Sequence, residues 1–339
     1  MLLKRLCEAP GVPGREDAVR DLIRAEVSPL VDEVFTDALG NLFAHKKGKG
    51  PKVMLAAHMD EVGFIITSIE DNGSLGFKTL GGIDPRVMVA KSVAVGAEGI
   101  PGVIGAKPIH LQQPDERRKP IPLSQMFIDI GAKDRAEAEG LVKLGDFAVF
   151  TTKFEEFGED SWKGKAFDDR VGCSVLIEAL RQDYDLDLYA VFTVQEEVGL
   201  RGAGVAAYQV NPDVALVVEG TTASDVPGIP AHRHATTVGE GPALTMIDRT
   251  AIASKPVQTR LWEVAKAKGI KCQHRRFTSG GTDAGAIHLA REGIPTATAA
   301  LPCRYIHSPV SVVNKRDYQG LEKLVVEFLR SIETDGIPQ

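Results

Sequence analysis

The stretch Val191 to Leu200, VFTVQEEVGL, constrains the chain more than any other. Apolar residues, several of them β-branched, run from Leu188 to Val194, the pattern of a buried strand. The run ends in two adjacent carboxylates, Glu196 and Glu197, with a glycine close behind. In open α/β sheets, chemistry gathers where strands end. Two acids side by side there repel each other, and both resist desolvation. A nearby dication removes that conflict, with one carboxylate binding metal and the other handling protons. An adjacent Glu pair is also common on solvated surfaces, so the reading depends on what the other segments deliver.

Four of them deliver a His, Asp or Glu to the same kind of position. VMLAAHMDEVGFII reads as the first strongly buried strand, with His58 and Asp60 at its end. KAFDDRVGCSVLIEAL opens a helix behind Asp168 and Asp169; one Asp suffices as an N-cap, and the second has no such explanation. VALVVEG is a second buried strand closing on Glu219, whose carboxylate needs a partner if buried. IPTATAALPCRYIHS is a strand and loop that brings in His307.

The N-terminal segment reads as two helices joined by a Pro/Gly turn, then a hairpin around Ala38–Gly40. Between Ser68 and about Lys163 the texture changes to dense glycine, short strands and recurrent turns, which suggests an inserted β-rich domain or barrel. The division expected is therefore 1–67, 68–163 and 164–339. Within the insert, Gln112 to Pro122 reads as an exposed loop, and Asp84 and His110 stand apart without a convergent ligand set. GGTDAG lacks the lysine and spacing of a phosphate loop; its glycines read as a turn that lets backbone approach a neighbouring segment. KRDYQGLEKLVVEFLRSIE is an amphipathic closing helix.

Composition excludes several classes. With 43% hydrophobic and 25% charged residues the 339-residue chain should be globular, and a net charge of -6 argues against a nucleic-acid binder. Four cysteines without a CxxC pair fit a reducing compartment. With no apolar h-region and no run long enough to span a bilayer, the expected location is cytoplasmic.

His58, His307, Asp168, Glu197 and Glu219 are too many ligands for one tetrahedral zinc. They match two ions sharing a carboxylate, about 3.5–4 Å apart. Imidazole with carboxylate suits zinc, cobalt or manganese. Two dications balance these three carboxylates plus a bridging hydroxide, which leaves Glu196 free to take a proton. Glycoside hydrolysis by paired carboxylates is a rival, but it leaves both histidines without a task, and only 6% of residues are aromatic. A structural metal site would normally be closed and rich in cysteine. An N-acyl amino-acid deacylase could use the same ligand set.

Taken in order, HMDEVG, KAFDDRVG, VQEEVGLRGA, VVEGTTASDVPG, GGTDAG and YIHSP resemble the tetrahedral aminopeptidase family, which includes glutamyl and deblocking aminopeptidases. The resemblance covers nearly the whole chain. It implies an α/β fold in which a mixed sheet lies between helices, with an inserted β barrel used for dimerisation and dimers assembled into a tetrahedral dodecamer. It implies a two-metal peptidase acting on peptides. His58 and Glu219 would hold one ion, Glu197 and His307 the other, and Asp168 would bridge them. Glu196 matches the general base, and Asp60 the acid that orients His58. Asp168-Asp169 matches the family's non-prolyl cis peptide. Arg249, Arg275, Arg276 and Arg304 are candidates for a side-chain pocket.

Overall fold

Lys52–His58 shows how the sequence builds the larger body. Val53, Leu55 and Ala57 point to one apolar layer, Met54 and Ala56 to another, as the two-residue period of a strand requires. A strand buried on both faces belongs at the centre of a sheet covered by helices. In the computed structural model, which describes residues 1–339, that is its place.

Four parallel strands form the centre, in the order Asp187–Thr193, Lys52–His58, Val214–Thr222 and Thr296–Arg304. Antiparallel strands extend both sides: the hairpin Glu33–Thr36 and Leu42–Lys46 on one, and Ser311–Asn314, Ser161–Gly164 and Glu155–Phe157 on the other. Ala243–Thr245 and Gln273–Arg275 branch from Thr296–Arg304 to complete an 11-stranded sheet. One face is covered by Leu2–Glu8, Asp17–Val27, Phe167–Leu180, Lys255–Ala267 and Lys315–Asp335, and the other by Arg201–Val210 and Ala284–Ile287. The closing helix carries Leu321, Leu324, Val325, Phe328 and Leu329 on its buried stripe. No helix is long and apolar enough to cross a membrane.

The insert is a closed six-stranded barrel, in the order Gly63–Ile69, Leu75–Leu80, Met126–Asp129, Ile100–Ala106, Ser92–Val95 and Phe147–Phe150. Phe64, edge-on to Phe77 and Phe150, fills its interior. Closure leaves no free strand edge. Gln112 to Pro122 is a largely exposed loop of short 3-10 turns.

Two expectations need correction. VMLAAHMDEVGFII is two strands in two bodies: the sheet strand ends at His58, and the barrel begins at Gly63. Met59 to Val62 between them are all buried, so the apolar pattern continues while the chain changes direction. The barrel strands accordingly span 63–150 rather than 68–163. Glu155–Phe157 and Ser161–Gly164 join the large sheet through Ser311–Asn314 instead.

Candidate functional site

The C-terminal ends of the central parallel strands converge on one cavity of about 550 Å³. His58 closes its strand and pairs in register with Thr193, so the turn after Thr193 sets Glu196 and Glu197 beside it. Glu219 lies towards the end of Val214–Thr222. Asp168 and Asp169 precede the regular part of helix Phe167–Leu180, with non-helical dihedrals and a cis bond between them. His307 follows Thr296–Arg304 in a left-handed conformation.

Asp168 is the hub. Its Oδ1 lies 3.3 Å from His58 Nε2 and its Oδ2 3.2 Å from His307 Nε2. Glu219 Oε1 stands 3.9 Å from His58 Nε2, and Glu197 Oε1 3.3 Å from His307 Nε2. Two trios, His58–Asp168–Glu219 and Asp168–Glu197–His307, each bring three ligand atoms within 4.8 Å of one another. Glu196 belongs to neither trio; its Oε2 is 3.8 Å from His58 Nε2.

The imidazoles are held alike. His58 Nδ1 lies 3.0 Å from the Asp60 carbonyl oxygen and His307 Nδ1 3.1 Å from that of Gly82. A proton on each Nδ1 leaves both Nε2 lone pairs facing the carboxylates, the orientation a metal ligand needs. Gly82 lies beyond the barrel strand Leu75–Leu80, so the insert helps to orient His307. Its neighbour Gly81, at φ +83°, sits where a Cβ would come within 3.1 Å of Glu197 Oε2. The sequence reading found no site contribution in this segment; the paired glycines of LGGIDP were the available signal.

Asp60 is fully buried and close to His58, with Oδ1 3.5 Å from Nδ1. Its stronger contacts lie elsewhere: the backbone N–H groups of Glu196 and Glu197 donate to its two oxygens, each at 3.0 Å. Asp60 thus fixes the turn that carries both glutamates. Asp169 accepts from the N–H of His58 at 3.1 Å and of Gly172 at 3.0 Å, which accounts for the second Asp. Asp283 of GGTDAG is also buried, takes the Thr193 hydroxyl at 2.5 Å and has an Oδ1 with no partner. Asp84 pairs with Arg86 at the cavity rim, and His110 is exposed in the barrel loop.

Electrostatically the cluster is incomplete. Burial is the largest cause that raises Glu196, Glu197 and Glu219 above the carboxylate range, and neighbouring acids add to it; Glu197 is pushed up to about 7. Burial alone would lower His307, but Glu197 and Asp168 outweigh it and hold the imidazole at about 9. Hydrogen bonds with the two imidazoles outweigh burial at Asp168 and lower its carboxyl. No lysine or arginine pairs with these acids. Glu197 Oε1 and Glu219 Oε2 are buried without a hydrogen-bond partner. Buried carboxylate oxygens with no donor are costly. This donor set, two imidazoles and three carboxylates with an excess of negative charge, fits divalent metal.

Residues 40–324 match the model of the M42 glutamyl aminopeptidases. The chain belongs to that family. As an M42 member it is a peptide hydrolase. A putative aminopeptidase of Acetivibrio thermocellus is 41% identical over 330 residues, 97% of each chain. The TET aminopeptidase of the marine sediment archaeon Thaumarchaeota archaeon SCGC AB-539-E09 superposes with a TM-score of 0.95 at 41% identity, covering 99% of this chain and 96% of that one. The TET1 peptidase of Pyrococcus horikoshii, which can assemble into a tetrahedron or a large octahedral shell, gives a TM-score of 0.85 at 34% identity, with 97% and 98% covered.

Proposed function

We propose that this M42 peptidase removes N-terminal residues from peptides in a reaction that depends on two divalent ions. The observation that carries the reading is the hub geometry: the two oxygens of one partly buried carboxylate, Asp168, face different imidazoles, and each imidazole has its own further carboxylate. His58, Asp168 and Glu219 would hold one ion, and Asp168, Glu197 and His307 the other. Zinc or cobalt suits this mixture best, and manganese is compatible with it. When bound, such ions supply Lewis acidity and lower the pKa of water.

Glu196 is the carboxylate left over, beside the two trios and lining the cavity. It takes the proton of the attacking water and returns it to the leaving amine. Asp60 keeps it in place by holding its backbone N–H. The cavity is open to a chain end, and its acidic wall suits a free α-amine, which favours exopeptidase action. The barrel provides a dimerisation surface, and dimers assemble into a tetrahedral dodecamer in the cytoplasm; the assembly known for the Pyrococcus horikoshii relative supports this reading.

The test is turnover of aminoacyl p-nitroanilides by chelator-treated protein before and after zinc or cobalt is restored. Activity should vanish and return. Hydrolysis that survives chelation, or that favours N-acetylated over free peptides, would contradict the reading.

A further inference from the structure

Just beyond the strand Asp187–Thr193, consecutive backbone N–H groups are taken by buried side chains rather than by a neighbouring strand. Val194 donates to Asn41 Oδ1 at 3.0 Å, Gln195 to Glu16 Oε1 at 3.2 Å, and Glu196 and Glu197 to the two oxygens of Asp60 at 3.0 Å each. Asn41 and Asp60 are 0% exposed and Glu16 3%. Asn41 Nδ2 also donates to the Gly202 carbonyl at 3.0 Å, so Asn41 ties the two ends of this loop together. Asp60 has a part in the reading above; Glu16 and Asn41 have none.

Glu16 directly precedes helix Asp17–Val27, where an N-cap side chain ordinarily accepts from the first turn of its own helix. It makes no such bond. Its Oε1 accepts instead from Gly14 at 2.7 Å and from Gln195. Burial and then the nearby Asp60 push its carboxyl up to about 7, so this buried acid is kept against an electrostatic cost. The segment that carries it is fixed: Val12 is buried, and the Gly11 carbonyl accepts from Glu61 at 2.8 Å and from Arg170 at 3.3 Å.

Gln195 has φ +57°, a conformation disfavoured for residues other than glycine. Glu16 holds the peptide N–H on one side of it and Asp60 the N–H on the other, so together they fix both of its dihedrals. Released from Glu16, Gln195 can relax, and Glu196 swings with it. Glu196 is sensitive to such a shift in a way that its neighbours are not. Ligands in the two trios would be held by the ions they bind, whereas Glu196 belongs to neither trio. We propose that Glu16 is a positioning residue for Glu196, acting through the Gln195 backbone, with Asn41 steadying the base of the same loop. The inference rests on the aminopeptidase reading, in which Glu196 is the base.

The experiment measures kcat and KM on leucyl p-nitroanilide for Glu16→Asp and Glu16→Gln, each alone and combined with Glu196→Gln, in metal-supplied protein. Metal content and the urea midpoint are read in parallel. Glu16→Asp keeps the charge but is one methylene too short to span Gly14 and Gln195. Its kcat should fall by about tenfold to a hundredfold, with KM and metal content little changed. Glu16→Gln loses the charge but keeps an oxygen for both N–H groups, so it should retain most of the wild-type kcat. In the Glu196→Gln background, Glu16→Asp should cause no further loss. Three results overturn the assignment: wild-type kcat in Glu16→Asp, a larger loss in Glu16→Gln than in Glu16→Asp, or an undiminished Glu16→Asp loss when Glu196 is already Gln. Where Glu16→Asp does not fold, a fall of about tenfold or more in folded Glu16→Gln overturns it alone. In each of these cases wild-type turnover leaves the aminopeptidase reading standing. Absence of wild-type turnover on every aminoacyl substrate refutes both.

Discussion

Asp60 and Glu61 are adjacent in the sequence and both buried, yet they belong to opposite kinds of charge cluster. Glu61 takes Lys165 Nζ at 2.5 and 2.7 Å and stands 3.5 Å from Arg170 Nη2. The cations are then saturated by carbonyls: Arg170 donates to Met59, Leu6, Ala9 and Gly11, and Lys165 reaches Ala9. Every strong donor has an acceptor, and the group ties the N-terminal helix to the start of helix Phe167–Leu180. On the other side of Asp60 the acids outnumber their partners, and two oxygens have none. A saturated buried cluster is architecture. One left short of positive charge at a cavity wall is prepared for something the chain does not itself contain. The two clusters should therefore fail differently when mutated, and four measurements test that contrast.

The largest effect is expected at Glu196. Glu196→Gln preserves shape and removes the proposed base, so turnover should fall by about 10²–10⁴-fold. Metal content, measured by elemental analysis, should stay at the wild-type level, because Glu196 lies outside both ligand trios. Near-normal turnover in the metal-replete variant would remove its role. Next is Glu61→Gln, which leaves Lys165 and Arg170 without their carboxylate. Breaking a buried pair costs about 3–5 kcal/mol, readable as a lower midpoint in urea. Metal binding by the folded fraction should persist. Unchanged stability would mean that the carbonyls alone satisfy the two cations.

The third effect is intermediate and carries the opposite sign. Zinc or cobalt at about 100 times its Kd should stabilise the wild-type protein by about 2.7 kcal/mol, seen as a higher melting temperature. Asp168→Asn removes the carboxylate shared by both trios and should abolish that gain. Addition of metal should not rescue Glu61→Gln beyond the same increment, since its defect lies in the saturated cluster.

This contrast also shows which parts were legible beforehand. Apolar runs that stop at a His or an acid mark strand ends, which singles out His58, Glu197 and Glu219; Asp168 is legible only as an acid doubled at a helix start, and His307 only as an imidazole in the loop after a buried strand. The barrel was legible from its short strands, but its start was not. Met59–Val62 continues the buried pattern because Asp60 and Glu61 find partners there, and hydropathy cannot separate a paired buried charge from a strand end. The Asp60 contacts to the Glu196 and Glu197 backbone and the Gly82 carbonyl on His307 both depend on long-range contacts, which periodicity does not encode. GGTDAG was half legible. Gly281 does admit close approach, since a Cβ there would lie 2.6 Å from Thr250 Cγ2, but the burial of Asp283 beneath it was not foreseen.

The smallest expected effect bounds the other three. Asn314 caps the closing helix, its side-chain oxygen accepting from the N–H groups of Arg316 at 2.8 Å and Asp317 at 3.2 Å. Asn314→Ala should cost about 1 kcal/mol. That helix packs on Phe167–Leu180, whose first residues include Asp168. A loss of stability spread evenly through the fold would therefore reach the hub. The hub, however, is also pinned from outside that helix: Asp169 accepts from the N–H of His58 at the strand end, and Asp168 lies between two imidazoles whose far nitrogens are anchored on carbonyls. Turnover and metal affinity at 25 °C should thus match wild type in Asn314→Ala while the urea midpoint falls. A parallel drop in metal affinity would show that the closing helix sets the position of Asp168, and the line drawn between architectural and functional charge would have to include it.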